Sequence, residues 1–141
     1  SSTNWTDSIG PAAAIACIKK YLDNDVSSHL EKIGKLAQEG WERLAQKYRL
    51  SIKLGGLPSL CSFQFEHSEV RRINTFLTVE MLQYGILGFR QFKPSYAHNK
   101  THVKQYLVAL EQVFQILSET DCLPNLTTPL HHTGFSRLTK E

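Results

Sequence analysis

The stretch from Met81 to His98, Met-Leu-Gln-Tyr-Gly-Ile-Leu-Gly-Phe-Arg-Gln-Phe-Lys-Pro-Ser-Tyr-Ala-His, constrains the fold more than any other part of the chain. Val70, Ile73, Leu77, Met81 and Tyr84 recur at helical spacing and run into Gly85, a residue suited to the left-handed stop of a helix. Two short apolar runs follow, Ile86-Leu87 and Phe92 to Tyr96, and both read as strands. Pro94 has no backbone donor, which places the second run at a sheet edge or at an irregularity. Asn99 then stands where it can cap a new amphipathic helix from Lys100 to about Ser118. By physics alone the stretch is a helix stop, a hairpin-like turn and a helix start.

The remaining segments fit that layout. Pro11 suits a first helical turn, and Ala12 to Leu22 reads as helix with Ala14, Ile18 and Tyr21 on one face. Asp23-Asn24-Asp25 breaks it. Ser28 to Glu31 has the spacing of a capping box for a second helix reaching Tyr48. Leu30, Ile33, Ala37, Trp41, Leu44 and Tyr48 form its apolar stripe, so Trp41 is expected in the core. Gly34 and Gly40 each cost this helix about 1 kcal/mol relative to alanine, and close packing against another element explains them. Ser51 to Leu54 and Leu60 to Phe65 alternate like strands across a Gly55-Gly56 and Pro58 loop. Ser68 is placed to cap the helix from Glu69 to Tyr84. The expected order is helix, helix, strand, strand, helix, strand, strand, helix and an irregular tail. That is an α+β fold, a small, mostly antiparallel sheet of about four strands covered by helices on one face.

Several function classes lose support at this point. The 141 residues suit one domain, and the formal charge of +3 comes from scattered Lys and Arg without a dense basic run, which argues against nucleic acid. No apolar run approaches a membrane span, and no secretory signal pattern is present. Cys17, Cys61 and Cys122 lack metal-type spacing and read as reduced thiols of a cytoplasmic protein. His98 and His102 lie four apart, but His98 precedes the cap at Asn99, so the two do not share a regular helix face. With His131-His132 in the tail, no metal ligand set is completed. The carboxylates read as caps or solvated helix faces, and no phosphate-cradling glycine loop or nucleophile elbow occurs. The start at Ser1-Ser2-Thr3-Asn4-Trp5 reads as a position inside a larger chain, and its hydroxyl residues ahead of a helix can offer donors to a phosphate.

Four separated segments resemble class III aminotransferases, in the family's order. Ser2-Thr3 followed by Ile9-Gly10-Pro11-Ala12-Ala13-Ala14 is similar to the Gly-Thr loop and Ala-rich helix. Met81-Leu82-Gln83-Tyr84-Gly85-Ile86 is similar to the Met-Leu-x-x-Gly-Val/Ile helix end. Ser95-Tyr96-Ala97-His98 resembles the Ser-x-Ala-His turn before the terminal helix. His132-Thr133-Gly134-Phe135-Ser136-Arg137-Leu138-Thr139 resembles the end of aminomutase-like members.

The resemblance implies the C-terminal domain of a fold-type I, pyridoxal phosphate (PLP) enzyme similar to glutamate-1-semialdehyde 2,1-aminomutase. It implies a homodimer that moves an amino group on a small amino or oxo acid. Residues 1–26 then end the large PLP domain and form the connecting helix, 27–118 form the small domain and 119–141 the tail. The Schiff-base lysine belongs to the large domain, upstream of this sequence, so this chain alone is expected to be inactive and to need that missing N-terminal domain as partner. Thr3, with Ser2 in place of the family's glycine, maps onto the contact to the cofactor phosphate of the neighbouring subunit. Arg90 stands where the aminomutase has a glutamate; a guanidinium there suits an anionic substrate, or else faces solvent. The competing expectation is a stand-alone, non-catalytic α+β interaction module.

Overall fold

The structure, a computed structural model, describes residues 6–119, 125–132 and 134. Among these residues four α-helices are formed, α1 (Ile9–Asp23), α2 (Val26–Tyr48), α3 (Val70–Gln83) and α4 (Lys100–Glu119). Three strands, β1 (Ile52–Gly55), β2 (Cys61–Phe65) and β3 (Gln91–Phe92), make an antiparallel sheet in the order β1-β2-β3. The α+β expectation holds, with three strands among the described residues where about four were expected.

Backbone donors explain the missing strand. Gly85 has φ +71°, its N–H donates to Leu82 O at 2.9 Å, and Ile86 N–H donates to Met81 O at 3.1 Å. This paired closure is a Schellman motif, and Ile86 packs against the core that includes Met81. Gly88 N–H then turns back to Ile86 O at 2.9 Å, so the Ile86-Leu87 run is spent on ending α3 rather than on pairing. The second run shrinks to Gln91–Phe92, because Pro94 lacks a donor and Ser95 to His98 fold into a turn.

The helix starts also differ in part. α2 begins at Val26 because Asp25 takes a left-handed conformation, φ 44° and ψ 50°, and restarts the helix almost at once. Ser28 is therefore inside α2 and forms no capping box; Glu31 pairs instead with Lys35, one turn on, at 2.7 Å. α3 starts one residue beyond Glu69 without a side-chain cap from Ser68. Glu69 N–H donates to His67 Nδ1 at 3.0 Å, which leaves the local donor served by a different side chain. Asn99 caps α4 as expected, its Oδ1 accepting from Thr101 and His102 N–H at 2.9 and 3.2 Å.

One sheet face is apolar and carries the core. Cys61, Phe63 and Phe65 are buried there against Trp41 of α2 and Phe114 of α4. Trp41 is fully buried, and its indole N–H donates to Tyr106 Oη at 2.9 Å, which satisfies both polar atoms. The two helix glycines work as expected. A Cβ on Gly34 would lie 1.7 Å from Pro58 O, and one on Gly40 would lie 2.3 Å from Leu107 Cδ1. Cys61 is buried, and burial pushes its thiol up to about 11, as befits a structural cysteine. Of the tail, Leu126 packs against the core and His131 O accepts from Arg71 Nε at 2.8 Å.

The first helix is different. α1 buries none of its residues, although Ile9, Ile15, Ile18, Tyr21 and Leu22 are all large and apolar. No helix among the described residues is long and apolar enough to cross a membrane.

Candidate functional site

Two concavities flank the Gly85–Lys93 segment. The first is a groove of about 1240 Å³ between that segment and α4. Phe89, Phe92, Tyr106 and Val108 give it apolar walls, while His98, His102, Lys93 and Lys104 supply polar and basic groups. The second is a smaller cleft of about 330 Å³ on the opposite side of the strands, lined by Lys53, Ser62, Gln64, Arg90 and Gln91 among others. Neither lining contains a carboxylate.

Arg90 is half-buried at the entry to β3. Its carbonyl accepts from Phe63 N–H at 2.9 Å, which anchors the residue to the central strand. The guanidinium lies over the Phe89 ring, 5.5 Å from its centroid. Among the described residues it has no carboxylate partner. Its five donors remain for an anion. Lys53, on β1, shares the cleft; the sequence offers only an alternating strand there, and only the β1-β2-β3 order brings the two cations to one site.

Ser2 and Thr3 lie outside the described residues. The same holds for Thr133 and for residues 135–139 of the C-terminal resemblance. His98 and His102 approach with ring centroids 6.1 Å apart, but no group of three metal-binding side chains exists among the described residues.

The histidines instead hold backbone. His98 Nδ1 accepts from Ser95 N–H at 2.9 Å, and His98 N–H donates to Ser95 O at 3.0 Å. His29, from α2, donates through Nε2 to His98 O at 2.8 Å. That link joins residues 69 positions apart, so helical periodicity could not have announced it.

A lysine that reacts with an aldehyde needs a lowered proton affinity, from burial or a neighbouring cation. Every described lysine is exposed. Lys35 and Lys47 are shifted the other way, upward, chiefly by hydrogen bonds to Glu31 and Glu111.

No family profile matches the sequence, and no curated protein matches it. Solved structures do. FumI protein of Sphingopyxis sp. MTA144, in its PLP internal aldimine form, superposes with a TM-score of 0.72 at 21% identity, over 79% of this chain and 28% of that one. An omega-transaminase from Sphaerobacter thermophilus gives 0.56 at 14% identity, over 61% and 23% of the two chains. A transaminase with PLP bound gives 0.52 at 14% identity, over 64% and 24%. The chain thus spans about a quarter of the length of these proteins, and it has the fold of that portion of a PLP-dependent transaminase.

Proposed function

We propose that this chain is the C-terminal part of a PLP-dependent class III aminotransferase or aminomutase. One observation carries the reading: the FumI-like fold accounts for 79% of this chain but only 28% of that protein, and the bare helix α1 offers the apolar surface that the rest would cover. In this reading residues 1–26 end the large domain, with α1 as the connecting helix, 27–118 form the small domain and 119–141 the tail. The parent is a cytoplasmic homodimer. When bound, PLP supplies the electron sink for moving the amino group, and the lysine that anchors it lies outside this chain. Ser2 and Thr3 contribute donors to the cofactor phosphate. Arg90 receives the carboxylate of a small amino or oxo acid, and the aminomutase-like motifs leave transfer within or between molecules as the two forms of the reaction. The chain alone is inactive.

The test is to produce the chain together with the polypeptide encoded upstream of Ser1. The longer product should show the visible absorbance of lysine-bound PLP and move amino groups between small acids; residues 1–141 alone should do neither. A longer product that binds no PLP sinks the reading and favours the stand-alone interaction module. Within the active enzyme, Arg90→Ala should raise KM for the anionic substrate about tenfold or more, in keeping with the ~1.5–3 kcal/mol of a charged hydrogen bond. An unchanged KM removes Arg90 from the site.

A further inference from the structure

Among the described residues no ion pair holds the Arg90 guanidinium. What it touches is the Phe89 ring, 5.5 Å from the centroid. A contact of this kind fixes a cation only as well as the ring itself is fixed. Ile86 and Phe92, on either side, pack on the core, and half-buried Phe89 does not join them. The Phe89 ring instead meets the imidazole of His131, with centroids 6.0 Å apart and planes at 71°. That is the edge-to-face arrangement aromatic pairs prefer.

Helix α3 holds both the backbone and the ring of His131. His131 N–H donates to Thr75 Oγ1 at 3.1 Å, and His131 Nδ1 lies 3.0 Å from the same oxygen. The His131 carbonyl accepts from Arg71 Nε at 2.8 Å. Thr75 is buried, and its hydroxyl donates to Arg71 O at 2.9 Å, so the latch stands on a regular helix. Earlier in the same segment Leu126 packs on the core. Residues 125–132 therefore form a strap over α3 that presents an imidazole to Phe89. An imidazole serves here because one side chain offers a nitrogen to Thr75 and a ring edge to Phe89.

We propose that His131 is a positioning residue for Arg90, setting the Phe89 ring on which the guanidinium lies. This deepens the reading of Arg90 as the group that receives a substrate carboxylate, and rests on that reading for its functional meaning. The contacts run from Thr75 through His131 and Phe89 to Arg90, and no part of the strap needs to touch the anion. A long side chain free to sample its rotamers gives up that freedom when it binds; one already set on a ring gives up less. The strap thus raises the affinity of Arg90 for a carboxylate by ordering it beforehand.

The test uses the isotopically labelled 141-residue chain, with sodium pyruvate as the probe and sodium chloride as the control for ionic strength. The heteronuclear NOE of the Arg90 Nε–H, assigned by its loss in Arg90→Ala, reads how rigidly the guanidinium is held. Wild type should show an ordered Nε–H whose signal shifts on adding pyruvate. His131→Ala keeps the backbone bonds to Thr75 and Arg71 and removes only the ring. In that variant the Nε–H should become flexible, and pyruvate affinity should fall about twofold to tenfold, the range that one aromatic pair contributes. His131→Phe returns a ring edge to Phe89 and should restore the order of Arg90. The Trp41 indole N–H signal, bonded to Tyr106 inside the core, should stay unchanged in both variants. An Arg90 as ordered in His131→Ala as in wild type overturns the proposal. So does a His131→Phe variant as flexible as His131→Ala, or flexibility that comes only with loss of the Trp41 signal. A wild-type Arg90 signal that ignores pyruvate strikes the carboxylate role of Arg90 instead, and the NOE comparison still decides whether His131 orders it.

Discussion

α1 and α2 follow one another across a two-residue corner, yet they belong to different kinds of helix. α2 buries Ile33, Gly34, Ala37, Gly40, Trp41, Leu44 and Ala45 on one face. α1, richer in apolar residues for its length, buries none. Apolar content therefore does not make a core element; a stripe that meets an opposing surface does. In α2 the stripe meets β2 and α4, and its glycines let Pro58 and Leu107 come into contact with the helix backbone. In α1 the apolar residues are spread around the helix, with Ile9 74% and Leu22 69% exposed. That much exposed apolar surface on one helix marks a candidate interaction surface.

The comparison breaks first at Trp41. Trp41→Ala should cost about 3–5 kcal/mol in chemical denaturation, from the cavity and from the stranded Tyr106 hydroxyl. A loss below about 1 kcal/mol would mean that the α2 stripe is not the core. Gly34→Ala comes next, at about 1–3 kcal/mol or somewhat more, since its Cβ overlaps backbone atoms of Pro58 rather than a movable side chain.

A smaller effect is expected at alkaline pH. The Cys61 thiol holds its proton up to about 11 when folded, against 9.0 for the reference value. Between these values the unfolded chain releases the proton first, so stability falls as pH rises through that window and is unaffected below it. Replacing Cys61 by alanine should flatten this alkaline slope, whatever it does to stability at neutral pH; an unchanged slope would assign the alkaline loss to another group.

The smallest effect on the isolated chain sharpens the comparison most. Ile18→Lys in α1 should change its stability by no more than about 0.5 kcal/mol. In the longer protein proposed above, the same change should loosen the contact between α1 and the upstream domain, read by limited proteolysis between the two. A large destabilisation of the isolated chain would show that α1 is already part of its core.

Much of the fold was legible because its signals are local. The α2 stripe, Gly85 as a helix stop and Asn99 as a cap each follow from spacing or from the chemistry of one side chain. The capping box at Ser28 misled because Asp25, in a rare left-handed conformation, restarted the helix upstream. The Ile86-Leu87 strand misled because the Schellman closure consumed the Ile86 donor that a ladder needs. In the candidate cleft, Arg90 was visible as a charge reversal within a resembling motif. Its neighbour Lys53 was not, since nothing in an alternating strand tells which cation lies across the sheet.

The sequence by itself determined where helices begin to be possible, which stripe is apolar and which residues can end or cap an element, because those properties depend on neighbours a few positions away. Only the tertiary structure decided that α1 stands uncovered, that Lys53 and Arg90 share a cleft, and that His29 reaches His98. These depend on contacts across 69 positions or across two strand pairings, where the free energy of packing, and no local preference, chooses the partner.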